Sequence, residues 1–229
     1  MPILSSRNVD LCLEKVRKVA HHHREDLAFV GLLKSCAKAR DLCRGNRLHD
    51  TILNKGLLQN SPYVGSALIS MYAKCGALKK AHRLLEELPF QEIASWNTLI
   101  AGYVKQGQGL EALKCFEQMQ KEGISPYAVT YTCILMACGS IGALKKGKQI
   151  HREIMMSQDL LEDVVLGNAL VDMYVKCGML AKAQQVLNEI PVRDGVSWNT
   201  LIAGYARQGQ CYEALKCFEQ MQKEGISPY

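Results

Sequence analysis

Residues 93–127 read IASWNTLIAGYVKQGQGLEALKCFEQMQKEGISPY, and residues 195–229 read GVSWNTLIAGYARQGQCYEALKCFEQMQKEGISPY. The two stretches lie 102 residues apart and differ at 6 of 35 positions. The same offset relates LISMYAKCGALKKA at 68–81 to LVDMYVKCGMLAKA at 170–183. Self-similarity at a fixed period predicts a repeat architecture, in which short structural units stack along one direction.

A first block (26–127) and a second block (128–229) of 102 residues each divide into three related units. The units are 36, 31 and 35 residues long. Their predicted boundaries are 26–61, 62–92, 93–127, 128–163, 164–194 and 195–229. Residues 1–25 lie outside the pattern, and the spacing of their apolar side chains by three or four residues predicts a capping helix or a degenerate repeat there.

Within one unit the apolar side chains predict two short helices. In 93–127 they recur at the i, i+3, i+4 and i+7 spacing of an amphipathic helix, at Trp96, Leu99, Ile100 and Tyr103. Gly107 and Gly109 interrupt the pattern, and a second stripe follows at Ala112, Phe116 and Met119. The chain has no sustained period-two alternation, so the predicted class is all-α. Because a lone helix pair cannot bury its apolar face, the units are expected to stack into an α-solenoid.

The composition excludes several classes of protein. Hydrophobic residues make up 48% and charged residues 22% of the 229 positions, which is typical of a folded chain rather than a disordered one. No apolar run of about 18 residues occurs, so no membrane span is predicted. The net charge of +6 suits an anionic partner.

Ten cysteines raise the question of a metal or redox site. Six of them form pairs at the 102-residue offset, which is typical of small buried side chains at equivalent helix positions: Cys36 and Cys138, Cys75 and Cys177, Cys115 and Cys217. No CxxC motif occurs, so no metal and no other cofactor is expected. The free thiols predict a reducing compartment.

Two HxE triplets, at 23–25 and 151–153, match one half of the zinc-binding signature of nucleobase deaminases. That signature also needs a PCxxC motif, which the sequence lacks, so both triplets are interpreted as helix surface residues. Phosphate-binding and hydrolase motifs in a suitable context are also missing. The sequence therefore predicts a protein that is not an enzyme.

The strings SWNTLIAGY, EALKCFEQMQKEGISP, LVDMYVKCG and GALKKGKQIH closely resemble the pentatricopeptide repeat family of plant organellar RNA-binding proteins. The alternation of 36, 31 and 35 residues resembles the long, short and standard repeats of its PLS subclass. The resemblance implies a right-handed α-solenoid superhelix that binds single-stranded RNA at about one base per repeat. It also implies a location in the mitochondrion or chloroplast, with RNA editing as the favoured process and intron splicing as the second.

The resemblance assigns base reading to the fifth and last residues of each repeat. The polar fifth residues are Ser66, Asn97, Thr132, Asn168 and Asn199, and the last residues paired with them are Glu92, Tyr127, Asp163, Asp194 and Tyr229. Asn168 with Asp194 resembles a uracil-favouring pair, and Thr132 with Asp163 resembles a guanine-favouring pair. Asn97 and Asn199 lean toward pyrimidine. Because Val30, Glu92 and both tyrosines depart from the family pattern, no six-base target is predicted.

Two further positions acquire roles by resemblance. The second residue of a repeat packs against a base face: Leu27, Tyr63, Ala94, Val129, Val165 and Val196. The alternative for these residues is packing in the core. The thirteenth residue meets a backbone phosphate and is basic in five of six units: Lys38, Lys74, Lys105, Lys176 and Arg207, with Ser140 as the exception. The alternative for these cations is the general preference of helix C-termini for positive charge.

Two other functions remain open from the sequence. The concave surface of a solenoid can hold a peptide or a helix, which would make the chain a protein-interaction scaffold. The chain could also be a dimerising accessory factor, or associate through its solenoid ends as a homo-oligomer. RNA-editing or splicing cofactors are further candidate partners, and no membrane partner is predicted.

Overall fold

Helices occupy most of the chain in the computed structural model, which describes residues 25–227. In chain order they are α1 (25–39), α2 (Leu42–Asn54), α3 (Leu57–Asn60), α4 (Pro62–Lys74), α5 (Leu78–Glu87), α6 (Ile93–Lys105), α7 (Gly109–Lys121), α8 (Ala128–Ile141), α9 (Leu144–Met155), α10 (Gln158–Leu161), α11 (Val164–Lys176), α12 (Leu180–Glu189), α13 (Gly195–Arg207) and α14 (Cys211–Lys223). No strand occurs among residues 25–227, so the predicted all-α class is confirmed. The prediction made for 1–25 concerns residues that lie, except for Glu25, outside this range.

Each predicted unit contains a first helix and a second helix. The first helices are α1, α4, α6, α8, α11 and α13, and the second helices are α2, α5, α7, α9, α12 and α14. Five first helices begin at the first residue of a predicted unit: Pro62, Ile93, Ala128, Val164 and Gly195. The 36-residue units hold one additional helical turn, α3 or α10, which accounts for their greater length.

Glycine makes the turn between the two helices in five of the six units, and Arg40 takes this place in unit 26–61. Gly107, between α6 and α7, has a φ of 71°, and Gly178, between α11 and α12, has a φ of 75°. Residues with a Cβ rarely adopt this left-handed region. Gly109, which was also expected to interrupt the helix, is instead the buried first residue of α7. A Cβ at Gly109 would lie 2.6 Å from Ile141 Cγ2, so glycine permits the close approach of α7 to α8.

The chain forms two compact units, Met1–Leu99 and Ile100–Tyr229. Within the first, α4 contacts α2, α3 and α5. Within the second, the first helices α8, α11 and α13 contact one another in chain order, and each contacts its own second helix. This arrangement is the one expected when helix pairs stack and share their apolar faces.

The apolar stripes of the sequence supply the buried side chains. All seven residues predicted from 93–127 are buried: Trp96, Leu99, Ile100, Tyr103, Ala112, Phe116 and Met119. Trp198, which is equivalent to Trp96, is also fully buried. None of the helices within 25–227 is both long and apolar enough to span a bilayer.

Candidate nucleic-acid interface

The second residue of each unit is apolar and exposed to solvent. The exposed fractions are 60% for Leu27, 67% for Tyr63, 50% for Val129, 64% for Val165 and 50% for Val196, and Ala94 is exposed as well. Packing in the core is therefore the wrong interpretation of these positions. One exposed apolar side chain is ordinary, but its recurrence at the same place in every unit indicates a shared role on the surface.

Helical geometry places the second, fifth and thirteenth residues of a unit on one stripe. In α11 these are Val165, Asn168 and Lys176, which are spaced by three and eight residues and so lie on the same side of the helix. The opposite side carries the buried residues, including Leu166 and Leu170. Burial of one helix face thus turns the three predicted contact positions outward together. We call this face of each first helix the contact stripe.

The fifth and last residues of unit 164–194 lie side by side. Asn168 Nδ2 donates a hydrogen bond to Asp194 Oδ2 at 3.2 Å. The other carboxylate oxygen of Asp194 accepts from the backbone N–H groups of Val196 and Ser197, both at 3.0 Å, and so caps the N-terminus of α13. Asn168 Oδ1 is buried and has no donor among residues 25–227. The pair therefore holds the Asp194 carboxylate in a fixed position, while the Asn168 amide oxygen is covered by its surroundings.

The same hydrogen bonds set the charge of Asp194. Burial acts to raise the pKa of this carboxyl group, but hydrogen bonds from the Ser197 backbone and from the Asn168 and Ser197 side chains outweigh it. The pKa of Asp194 consequently lies below its ordinary value, and the group is ionised at neutral pH. An ionised carboxylate accepts hydrogen bonds but cannot donate them.

The equivalent pair in unit 62–92 is also formed. Ser66 Oγ donates to Glu92 Oε2 at 3.0 Å, and Ser95 Oγ donates to Ser66 Oγ at 3.1 Å. Both 31-residue units therefore bring their fifth and last residues within hydrogen-bond distance of each other. Their chemistry differs, because unit 62–92 has a hydroxyl where unit 164–194 has an amide.

The remaining predicted reading residues are placed differently. Thr132 Oγ1 donates to Ala128 O within α8 at 2.8 Å, and Asp163 Oδ1 caps α11 by accepting from Leu166 N at 2.9 Å. Both side chains thus bond within their own segments. Among the other predicted residues, Asn97 is 7% exposed, Asn199 is half-buried and Tyr127 is exposed. Tyr229 lies outside the described residues. Burial of Asn97 leaves little of its amide for a base edge, contrary to the expectation.

The predicted phosphate-contacting cations are all exposed: Lys38, Lys74, Lys105, Lys176 and Arg207. In the compact part of the chain from Ile100 to Tyr229, three successive repeats contribute their thirteenth residues to one open cavity of about 440 Å³. These residues are Ser140, Lys176 and Arg207. Glycines at 139, 178 and 204 line the same cavity and leave room around the cations. A row of thirteenth residues is therefore present on this side of the first helices.

One neighbour of this row was not predicted. Lys176 Nζ lies 2.7 Å from Asp172 Oδ2, four residues earlier on α11. The acid four residues before the cation is visible in the sequence, so the signal was available. Because both side chains are partly exposed, the pair is weak and leaves Lys176 accessible.

In the HxE triplet at 151–153, His151 is not a surface residue, which corrects the sequence interpretation for that position, whereas Arg152 is exposed. His151 is buried, and its Nδ1 lies 2.9 Å from Tyr174 Oη. The apolar spacing of Gly147, Ile150 and Ile154 turns that side of α9 inward and carries His151 with it. The triplet at 23–25 lies outside the described residues, apart from Glu25.

The repeated cysteines are mostly core residues. Cys36, Cys138, Cys115 and Cys217 are buried, whereas Cys75 and Cys177 are half-buried. Burial raises the pKa of the Cys138 and Cys217 thiols to about 11, which keeps them protonated. Among residues 25–227 no three His, Cys, Asp or Glu side chains are placed to hold a metal ion.

Comparison with known proteins agrees with the repeat geometry. The PPR repeat model matches residues 66–90, 129–158, 168–194 and 196–226, and the PPR repeat family model matches residues 91–140. A chloroplastic pentatricopeptide repeat-containing protein of Arabidopsis thaliana is 36% identical over 216 residues, which cover 94% of this chain and 35% of the relative. A putative mitochondrial one is 37% identical over 199 residues, covering 87% of this chain and 31% of the relative. The chain thus spans about a third of the length of these relatives.

A solved structure shows the same fold. The pentatricopeptide repeat protein PPR10, in complex with an 18-nt psaJ RNA element, aligns with a TM-score of 0.65 at 22% identity. The alignment covers 88% of this chain and 30% of PPR10. The helix pairs, their repeat lengths and the matched family models together establish that this chain belongs to the pentatricopeptide repeat family.

Proposed function

We propose that this chain is a non-catalytic module that binds single-stranded RNA along the contact stripes of its first helices, at about one base per repeat. The observation that carries the proposal is the exposed apolar second residue in every unit. An apolar side chain, a polar reading pair and a cation together can make the three kinds of contact that bind one nucleotide. These are stacking with the base face, hydrogen bonds at the base edge and charge at the phosphate.

The pair of Asn168 and Asp194 is the strongest candidate for base reading. Their hydrogen bond fixes both side chains, so that little conformational entropy is lost when a base binds. The ionised carboxylate of Asp194 is an acceptor, which suits a base edge that presents an N–H group. A uracil N3–H meets this requirement, in line with the uracil preference that the family resemblance implies.

The cations at the thirteenth positions supply the electrostatic part of binding. They are exposed at the C-terminal ends of first helices, on the same side as the second and fifth residues. Each contact with a phosphate releases counterions, so affinity falls as the salt concentration rises. This contribution is independent of base sequence and positions the strand on the stripe.

We further assign the chain to the PLS subclass and to RNA processing in a plant organelle. The alternation of unit lengths supports the subclass, since the longer units carry α3 and α10. Named relatives are chloroplastic or mitochondrial, which supports an organellar location. Editing is the favoured process and splicing the second, with cofactors of those processes as candidate partners.

Removing charge from the contact stripes tests the proposal. The variant K74Q/K105Q/K176Q/R207Q should lose most of its affinity for a 20-nt single-stranded RNA in fluorescence anisotropy. Four lost phosphate contacts should also flatten the plot of log K against log salt by about 3, at roughly 0.7 per contact. Circular dichroism should show unchanged helix content, because all four side chains are exposed.

A matched control separates position from net charge. The variant K79Q/K121Q/K216Q/K223Q removes four exposed cations from second helices and should retain most of the affinity. Equal losses in the two variants would reject RNA binding at the contact stripes. Tight binding of a peptide library, without RNA binding, would favour the protein-interaction scaffold instead.

A further inference from the structure

The outer side of α9 carries three cations, Lys145, Lys148 and Arg152, which we call the α9 cation face. They are spaced i, i+3 and i+7, which places them on one side of the helix, and all three are exposed. Along the helix axis the first and last are about 10 Å apart. The opposite side of α9 is buried, so this face looks away from the core of the unit.

The charge of the α9 cation face is not neutralised by neighbours. Lys146, on the same helix, shows the contrast: its Nζ lies 3.4 Å from Glu117 Oε1 and 5.6 Å from the centroid of the Phe116 ring. The carboxylate of Glu153 accepts a hydrogen bond from Gln149 Nε2 at 2.9 Å. Within residues 25–227, by contrast, the three side chains of the α9 cation face form no ion pair.

Local electrostatics does not favour the two lysines of the α9 cation face. Lys145 and Lys148 lie near the N-terminus of α9, where the helix dipole disfavours positive charge. Like charges three and four residues apart on a helix also repel each other. The first turn of α9 contains no acid, and no side chain caps its N-terminus. Arg152, in the last turn of α9, is favoured by the helix dipole, but Lys145 and Lys148 gain no such stabilisation, which points to an external anion.

The equivalent helix of the first block shows what an ordinary outer face looks like here. At the 102-residue offset, the three positions are occupied by Cys43, Asn46 and Asp50 in α2. On the inner side, Gly45 and His49 are the same residue types as their equivalents in α9. The inner side is therefore repeated, while these three outer positions change from neutral and acidic to basic. The exposed cations of α2, Arg44 and Arg47, stand at other positions. Packing alone does not account for such a one-sided change.

We propose that the α9 cation face is a second RNA-backbone site, which binds phosphates of the strand beyond the segment held on the contact stripes. This inference rests on the proposed RNA binding. Three unpaired cations along one helix are complementary in charge to neighbouring phosphates. The face holds no aromatic side chain for stacking, so the site contributes affinity without base selectivity. It lies on a second helix, apart from the contact stripes of the first helices.

Salt-dependent binding of a 30-nt single-stranded RNA by the full chain tests this site. In K145Q/K148Q/R152Q, the plot of log K against log salt should flatten by about 2, at roughly 0.7 for each lost phosphate contact. Affinity should fall by a similar factor for RNAs of different sequence. The thermal midpoint should stay constant or rise, because repulsion within α9 is removed. A merely structural role for these cations would instead lower the midpoint.

The control K121Q/K216Q/K223Q removes the same charge from exposed positions on α7 and α14, and its slope should change by less than 0.5. If the wild type binds RNA but K145Q/K148Q/R152Q matches this control, the α9 site is refuted while the proposed function stands. If the wild type binds no RNA, both are refuted. Loss of binding to phosphatidylserine vesicles, with an unchanged RNA slope, would assign the α9 cation face to lipid and overturn the inference.

Discussion

The first and second blocks repeat several of their interior contacts. His49 Nδ1 lies 2.8 Å from Tyr72 Oη in the first block, and His151 Nδ1 lies 2.9 Å from Tyr174 Oη in the second. The ring centroids are 5.6 Å apart in both pairs. A second helix is thus held against the next first helix by the same polar contact in each block.

Close backbone approaches are repeated as well. A Cβ at Gly45 would lie 2.4 Å from Met71 Sδ, and a Cβ at Gly147 would lie 2.5 Å from Met173 Sδ. In each block a methionine side chain therefore fills the space that a glycine leaves open. Close packing tolerates few changes of volume at such places, so the same solution recurs.

The surfaces of the two blocks differ where a ligand would meet them. Ser66 bonds to Glu92 in the first block, whereas Asn168 bonds to Asp194 in the second. At the three positions equivalent to the α9 cation face, α2 has the neutral Cys43 and Asn46 and the acidic Asp50. The difference shows that the helix pairs act as a constant framework, on which exposed positions change without disturbing the packing.

Core truncation should have the largest effect and should be equal in the two blocks. Leu68 and Leu170 are equivalent and both almost fully buried. L68A and L170A should each lower the free energy of unfolding by about 2–5 kcal/mol, because each leaves a cavity in a packed interior. Urea unfolding followed by circular dichroism measures the change. A loss below 1 kcal/mol in one variant only would show that the interiors are not equivalent.

Placing the reading pair of the second block in the first block should give the first block the same base preference. S66N/E92D gives unit 62–92 the pair found in unit 164–194 and should favour the same base at its own position in the target. One hydrogen bond gained or lost corresponds to roughly a 3- to 10-fold preference. Selection from a random RNA pool, with S66A/E92A as the unselective control, measures it. Identical selected sequences for the wild type and S66N/E92D would show that this pair does not read the base.

The sequence predicts the framework well because the framework depends on local signals. The starts of α4, α8 and α11 follow from where each apolar stripe begins, and their ends follow from glycine turns. The close approach at Gly109 was not predicted, because it depends on the distance between α7 and α8 rather than on either helix alone.

Exposure of the predicted site was harder to derive from the sequence. Asn97 and Asn199 stand in nearly identical strings, yet Asn97 is buried and Asn199 is half-buried. What covers a side chain depends on the neighbouring helices, which the string does not contain. For His151 the signal was present, since it lies on the same helical stripe as the apolar residues of α9.

Acidification should affect the second block more than the first. Burial lowers the pKa of His151 and of His49, so both rings are neutral in the folded chain. As pH falls from about 6.5, the unfolded chain takes up protons before the folded one, and stability decreases until the lowered pKa is passed. Thermal midpoints between pH 7.5 and 5 should therefore fall less in H151Q than in the wild type. H49Q should lie between them, because His49 is less buried. Parallel curves for all three proteins would contradict this account.

The smallest expected effect comes from the ion pair beside the thirteenth residue. Asp172 pairs with Lys176 in the second block, whereas Ser70 takes the place of the acid beside Lys74 in the first. D172S should change the free energy of unfolding by no more than about 0.5 kcal/mol, since the pair is partly exposed. It should raise RNA affinity about 2- to 3-fold at 50 mM salt, because the carboxylate no longer competes with phosphate for Lys176. The reverse variant, S70D, should weaken binding, and both changes should disappear at 500 mM salt through screening. If D172S and S70D both bind like the wild type at low salt, Lys74 and Lys176 do not contact the RNA backbone, and the two blocks are electrostatically alike at this position.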